Sequence, residues 1–283
     1  MTIKDVADHV ALNVKTVKAI DKSFLEKEYG ETDGKGLRIL AIDEIALRKG
    51  HHYMTVVMDY FSGRVLWMGK GRHKETLDGV FAELTPAQKE AIEAVTIDMW
   101  EPYINRIKHH CPNAQIVFDF FHVVQAFGRV IDKVRREEYL QATEQDKKVL
   151  KGSRYLLLKN EENLTDNQHN HLEQVLALNE TLSVLYVLRA QLKMIFYYGE
   201  RGKVKKALDD WCRMAETLGH PSTQAFIKKL RFFEYGILNH ADYPISTSRL
   251  EGANNKIKVI KRKAYGFHDA EYFALKVKQA FAA

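Results

Sequence analysis

Apolar residues fall into three regimes along the chain. In residues 1–30, Val6, Ala7, Val10, Val14, Val17 and Ile20 recur at helical spacing, with a break near Leu12 and Asn13. The pattern predicts two short helices meeting at a tight turn. Two readings fit it equally, a partial helix-turn-helix and a generic amphipathic pair. In the first, Lys15, Thr16 and Lys18 lie on the helix that faces a nucleic acid, and Ala11 stands where such turns usually carry glycine. Residues 30–36 (GETDGKG) read as a linker.

The second regime, residues 37–124, changes to short apolar runs of strand type. Leu37 to Ile42 ends in Asp43, Tyr53 to Met58 follows, and Gly63 to Met68 is the third run, with Asp59 to Gly63 supplying hairpin-turn chemistry. A helix is expected over Lys74 to Leu84, a strand over Ala94 to Ile97, a helix over Glu101 to His110 and a strand over Gln115 to Phe118. Three antiparallel strands, then helix, strand, helix, strand, is the order of an α/β ribonuclease-H-like core, a mixed sheet with helices on its faces.

The third regime is helical from about Val123 to the end. Residues 125–245 read as an all-helical insertion and 246–283 as C-terminal helices that complete the core. Lys159 to Gln168 and Gly199 to Lys205 are charged, turn-rich stretches expected to separate helices. Composition narrows the class only modestly. Two cysteines, Cys111 and Cys212, exclude a disulfide framework and a cysteine-rich zinc site, which fits a reducing cytoplasm. The most apolar run, Leu182 to Tyr198, is interrupted by Arg189 and Lys193, so no membrane partner is expected. A net charge of +6 leans only weakly toward polyanions.

The acids are more informative. Asp43 closes Leu-Ala-Ile-Asp and Asp98 closes Val-Thr-Ile-Asp, each a lone carboxylate after an apolar strand, the edge where open α/β sheets bind ligands. Cutting a phosphodiester without a covalent intermediate calls for two divalent ions roughly 3.5–4 Å apart, held by a few acids on rigid elements. An aspartate after a strand is also a common helix N-cap, and Asp98-Met-Trp-Glu101 has the form of a capping box. Glu44 should point to the opposite face from Asp43. A third acid is sought on a helix, where Glu251 shares a face with Asn255 and Lys258, although Ser248 to Glu251 also spells a capping box. Arg249, Lys256, Lys258, Lys261, Arg262 and Lys263 make that segment basic, suited to tracking phosphates or simply to a solvated face. Asp119-Phe-Phe-His122 either supports a site or starts a helix.

Four separated motifs, in order, resemble the bacterial insertion-sequence DDE transposases of the ISL-three type. Ile42 to Tyr53 with Met58 to Val65 resembles the start of that family's catalytic domain. Asp119 to Val123 resembles its aspartate-or-cysteine, two residues, histidine motif. Arg154 to Asn160 with Asn163 to Thr165 resembles its helical insertion, and Ser248 to Lys258 with Arg262 to Phe267 its closing segment. The resemblance covers residue 37 to the C-terminus. It implies a ribonuclease-H-like core with an all-helical insertion before the helix that bears the last acid. Asp43, Asp98 and Glu251 would be a triad holding Mg²⁺ or Mn²⁺, and Asp119 and His122 an auxiliary pair, with Asp119 an alternative second acid.

The implied function is metal-dependent cleavage at insertion-sequence ends and strand transfer into target DNA. The partners would be double-stranded terminal inverted repeats and target DNA, and a dimer or higher oligomer would form on DNA. Family members usually carry a zinc-binding segment and a complete DNA-binding region before the catalytic domain. Here the chain opens inside the helix-turn-helix-like pair, so the expectation is an N-terminally truncated copy. The alternative function is a truncated or domesticated relic that binds DNA without cutting it.

Overall fold

Thr2 and Asp5 exchange hydrogen bonds in a capping box that opens α1 (Ile3–His9), and Asn13 caps α2 (Val14–Tyr29). Ala11, in the turn between them, has φ 51°, the left-handed conformation that glycine adopts without strain. The structure, a computed structural model, describes residues 2–48, 50, 52–245, 248–264 and 266–282. Lys49, His51 and Tyr265 of the family-like motifs, and Ser246 and Thr247, lie outside them.

The strands are β1 (Ile39–Arg48), β2 (His52–Asp59) and β3 (Val65–Lys70). Between β2 and β3, Asp59 accepts hydrogen bonds from the Phe61 and Ser62 backbone, and Gly63 has φ 73°. α3 (Thr76–Glu83), α4 (Pro86–Glu90), β4 (Ala94–Ile97), α5 (Glu101–His110) and β5 (Gln115–Phe118) follow. The short α4 was not expected. It is started by a second capping box, Thr85 with Gln88, and by Pro86 at its first position.

The sheet order is β3-β2-β1-β4-β5, with β1 antiparallel to β2, β2 antiparallel to β3, and β1 parallel to β4. This is the mixed sheet of a ribonuclease-H-like fold. One expectation is corrected. Asp43 does not end its strand, because β1 runs on to Arg48. Pairing with β2 as far as Ala46↔Tyr53 keeps the polar Asp43 and Glu44 inside the ladder.

The chain divides into two compact units, residues 1–116 with 246–283, and residues 117–245. The second unit contains α6 (Phe120–Gln141), α7 (Glu144–Leu150), α8 (Arg154–Leu158), α9 (Asp166–Leu178), α10 (Glu180–Ile195), α11 (Arg201–Glu216), α12 (Pro221–Phe232) and α13 (Glu234–Asp242). Phe127, Trp211 and Phe226 meet at its centre with ring centroids 5.1–5.9 Å apart, and the Trp211 indole donates to the Leu188 carbonyl at 2.8 Å. Gly236 lies so close to the Phe118 ring that a Cβ there would stand 2.4 Å from it. Residues 201–205, expected as a turn, are the first turns of α11. Their charges are answered from α13, Arg201 by Asp242 and Lys205 by Glu234.

The chain returns to the first unit as α14 (Ser248–Lys263) and α15 (Ala270–Ala280). Leu250, Ala253 and Ile257 of α14, with Phe273 and Val277 of α15, pack on Ala41, Ile45, Met54, Val56, Met58, Val65 and Met68. Each large side chain buried in this way contributes about 1.5–3 kcal/mol. α15 also receives α2, whose Leu25 packs with Tyr272 and Leu275.

Candidate active site

Successive residues of β1 point to opposite faces. Ala41 and Ile45 belong to the core under α14 and α15, so Asp43 between them faces the same way. Glu44 faces the other side, where the hydroxyls of Thr55 and Tyr103 share a 2.7 Å hydrogen bond. Burial pushes the Tyr103 phenol up to about 12, and the nearby Glu44 carboxylate adds to the shift. The two adjacent acids are therefore not equivalent.

The parallel register aligns Ile39 with Ala94 and Ala41 with Thr96. Asp98 follows Thr96 by two positions, as Asp43 follows Ala41 on the neighbouring strand. Asp98 is half-buried, just past the last residue of β4. It does not cap α5, whose N-cap is Trp100 with no side-chain hydrogen bond.

α14 lies across β1 with Leu250, Ala253 and Ile257 inward. Asn254 borders that stripe, and its Nδ2 donates to Asp43 Oδ2 at 2.5 Å. The Glu44 backbone N–H donates to Asp43 Oδ1 at 2.7 Å, so both carboxylate oxygens are held. Sequence reasoning chose Asn255 as the amide on this helix, yet Asn255 is exposed. The signal for Asn254 was its place four residues after Leu250, at the edge of the buried stripe. Glu251 lies three residues before Asn254 and is exposed.

Two of the predicted phosphate contacts fasten α14 to the sheet. Arg249 donates to the Tyr60 and Phe61 carbonyls at 2.8 and 2.6 Å, and Lys261 to the Ala46 and Leu47 carbonyls at 3.0 and 2.9 Å. Lys256 bonds the Ala280 carbonyl and sits 4.2 Å from the Phe281 ring centre. Lys258, Arg262 and Lys263 are exposed.

In the second unit, Asp119 is buried and caps α6, its Oδ1 accepting from Phe121 N–H at 2.7 Å. His122 Nε2 stands 3.8 Å from Asp119 Oδ2, one turn along. The two side chains are neighbours, and the acid starts its own helix.

The family model for ISL-three DDE transposases, described as a transposase, matches residues 40–277. This chain belongs to that family. It is 42% identical over 282 residues to the transposase for insertion sequence element IS1001 of Bordetella parapertussis, covering 99% of this chain and 70% of that protein. It is 31% identical over 260 residues to the transposase for insertion sequence element IS1557 of Mycobacterium tuberculosis, covering 83% of this chain and 58% of that protein.

DNA binding follows for a transposase at the level of the family. Lys15 is exposed at the start of α2, whereas Lys18 is 2.9 Å from Asp269 of α15. No described helix is long and apolar enough to cross a membrane. Among the described residues, no three His, Cys, Asp or Glu side chains are gathered to hold a metal ion. The aspartate pair still fits the chemistry of Mg²⁺, which is commonly bound by one or two carboxylates and completed by water and substrate phosphate. Asp43 and Asp98 offer hard oxygens from adjacent strands, and the transposase fixes one of them with Asn254.

Proposed function

We propose that this transposase cuts DNA at the ends of an insertion sequence and joins the freed 3′ ends to target DNA. Asp43 and Asp98 would hold Mg²⁺ or Mn²⁺, with Glu251 as the third ligand. The observation that carries the reading is the Asn254 amide of α14 gripping Asp43 within β1, next to the parallel strand β4 that leads into Asp98. Bound there, divalent ions would stabilise charge on the attacking and leaving oxygens of the phosphodiester. The Asn254 amide holds the Asp43 carboxylate in one orientation, the role that outer hydrogen bonds play at metal sites.

His122, oriented by Asp119, is an auxiliary group able to accept or donate a proton. Lys258, Arg262 and Lys263, with whatever donors Arg249, Lys256 and Lys261 retain, contact the DNA backbone, which gives affinity but no sequence information. Lys15 and Lys18 belong to the N-terminal pair's contact with the terminal repeats. Synapsis of two ends makes the working species a dimer or larger on DNA.

A second reading, DNA binding without cutting, is favoured by the exposure of Glu251 outside any described three-acid cluster. One assay separates the two: Mg²⁺- or Mn²⁺-dependent cleavage and strand transfer on the DNA flanking the protein's own gene, with Asp98→Ala alongside. Metal-dependent nicking that Asp98→Ala abolishes supports catalysis. Binding without nicking in either protein supports the second reading.

A further inference from the structure

The first unit carries a cleft of about 170 Å³ where the far end of the β1–β2 hairpin meets the segment between α14 and α15. Leu47, His52, Tyr53 and Lys70 line it from the sheet side, and Phe267 and His268 close it. No acidic side chain is among the described residues that line it. We propose that this cleft takes a single unstacked nucleotide of the DNA strand.

Three observations support the assignment. Size comes first, because an opening of this volume admits one base and excludes a duplex. Chemistry is second. Phe267 is set in place by Phe273 and Tyr272, at ring-centroid distances of 4.8 and 5.9 Å, and so offers a fixed aromatic surface. Tyr53 is a second ring, with the Arg72 guanidinium 4.5 Å from its centre. Lys70 and Arg72 are exposed cations at the mouth, and the imidazoles of His52 and His268 can donate to or accept from a base edge. Aromatic surface inside and positive charge outside complement a base attached to its phosphate.

Position is the third observation. Leu47 is four residues beyond Asp43 on the same face of β1, about 14 Å away, or about four stacked nucleotides at 3.4 Å each. A strand laid along the exposed side of α14, past Lys258 and Arg262, would run toward Phe267 and His268 at the cleft. This inference rests on the reading that DNA runs over α14, and it needs no metal.

The test is fluorescence anisotropy with the full chain in EDTA, where nothing is cut. It compares a labelled duplex carrying one unpaired thymidine with its fully paired counterpart. The expected result is about tenfold tighter binding of the unpaired duplex, within the range of one base–aromatic stack. Phe267→Leu should reduce the preference to within about twofold while leaving the paired duplex unchanged. Because Phe267→Leu also touches the core, a wild-type measurement stands beside it. 5-Iodouridine at the unpaired position should cross-link to Tyr53, Phe267 or His268.

Equal binding of the two duplexes by the wild-type chain overturns the proposal, as do cross-links confined to other elements. Displacement of the unpaired duplex by free thymidine monophosphate alone would assign the cleft to mononucleotides instead and overturn it too. If Asp43→Asn still cuts DNA, the metal assignment fails while these binding results stand. The two ideas therefore fail separately.

Discussion

The end of β5 and the middle of β1 present the same local pattern, an apolar run followed by aspartate, and use it differently. Asp119 is answered within its own segment, by the Phe121 N–H, and a helix starts there. At Asp43 the strand continues, so there is no helix to cap, and the outer carboxylate oxygen is answered by Asn254, 211 positions away. A carboxylate satisfied locally stabilises its element. One held from a distant helix depends on the whole unit being assembled. The contrast predicts that changes at Asp43 are read in chemistry and changes at Asp119 in stability.

The largest expected effect is that of Asp43→Asn. Cleavage should fall by about a thousandfold or more, the scale of losing a metal-assisted step of several kcal/mol, with the melting curve little changed. If the curve collapses instead, the contrast is broken. Ile257→Ala comes next, opening a cavity beneath α14 and costing about 2–5 kcal/mol in chemical denaturation. Cleavage should fall with it, because α14 no longer presents Asn254 firmly.

Asn254→Ala should lower cleavage about 10- to 100-fold and raise the metal concentration needed, at nearly constant stability. A variant that keeps full activity at low metal would free Asp43 from its dependence on α14. Asp119→Ala should cost about 0.5–2 kcal/mol by uncapping α6, and Asp119→Ser should recover most of it.

The smallest effect concerns α15. Asp269 is held below the usual carboxylate range chiefly by the Tyr272 backbone N–H, with Lys18 adding to it. A depressed folded value means the contribution is complete above the unfolded pKa, about 3.9, and is lost as pH falls through the folded one. Hydrogen exchange in α2 should therefore speed up modestly below about pH 4, an effect under about 1 kcal/mol. In Asp269→Asn that step should be missing.

Much of the first unit was legible because its signals are local. Asp59 to Gly63 announced the hairpin turn, and α5, β4 and β5 fall on their predicted residues. The break near Leu12 and Asn13 was also visible, although only the structure shows that Ala11 itself takes the glycine-like conformation. The extension of β1 was hidden, since Asp43, Glu44 and Arg48 interrupt the apolar run and only cross-strand pairing sustains it. Asn254 was hidden for a related reason. Its neighbour Asn255 is chemically identical, and which amide faces the sheet depends on how Leu250, Ala253 and Ile257 seat the helix. Arg249 and Lys261 looked like free cations because backbone carbonyls of a distant strand and turn leave no trace in sequence.

The interruption of the first unit by residues 117–245 also sets a timetable during synthesis. At about 5–20 residues per second, roughly 10–40 s separate the appearance of β1 from that of α14. Throughout that interval Asp43 has no Asn254 to hold it, and the segment bearing Glu251 has not been made. On the proposed reading, a nascent chain, even one already folded over its first hundred residues, would be unarmed. Competence to cut would arrive in one late step, when the final helices close over the waiting sheet.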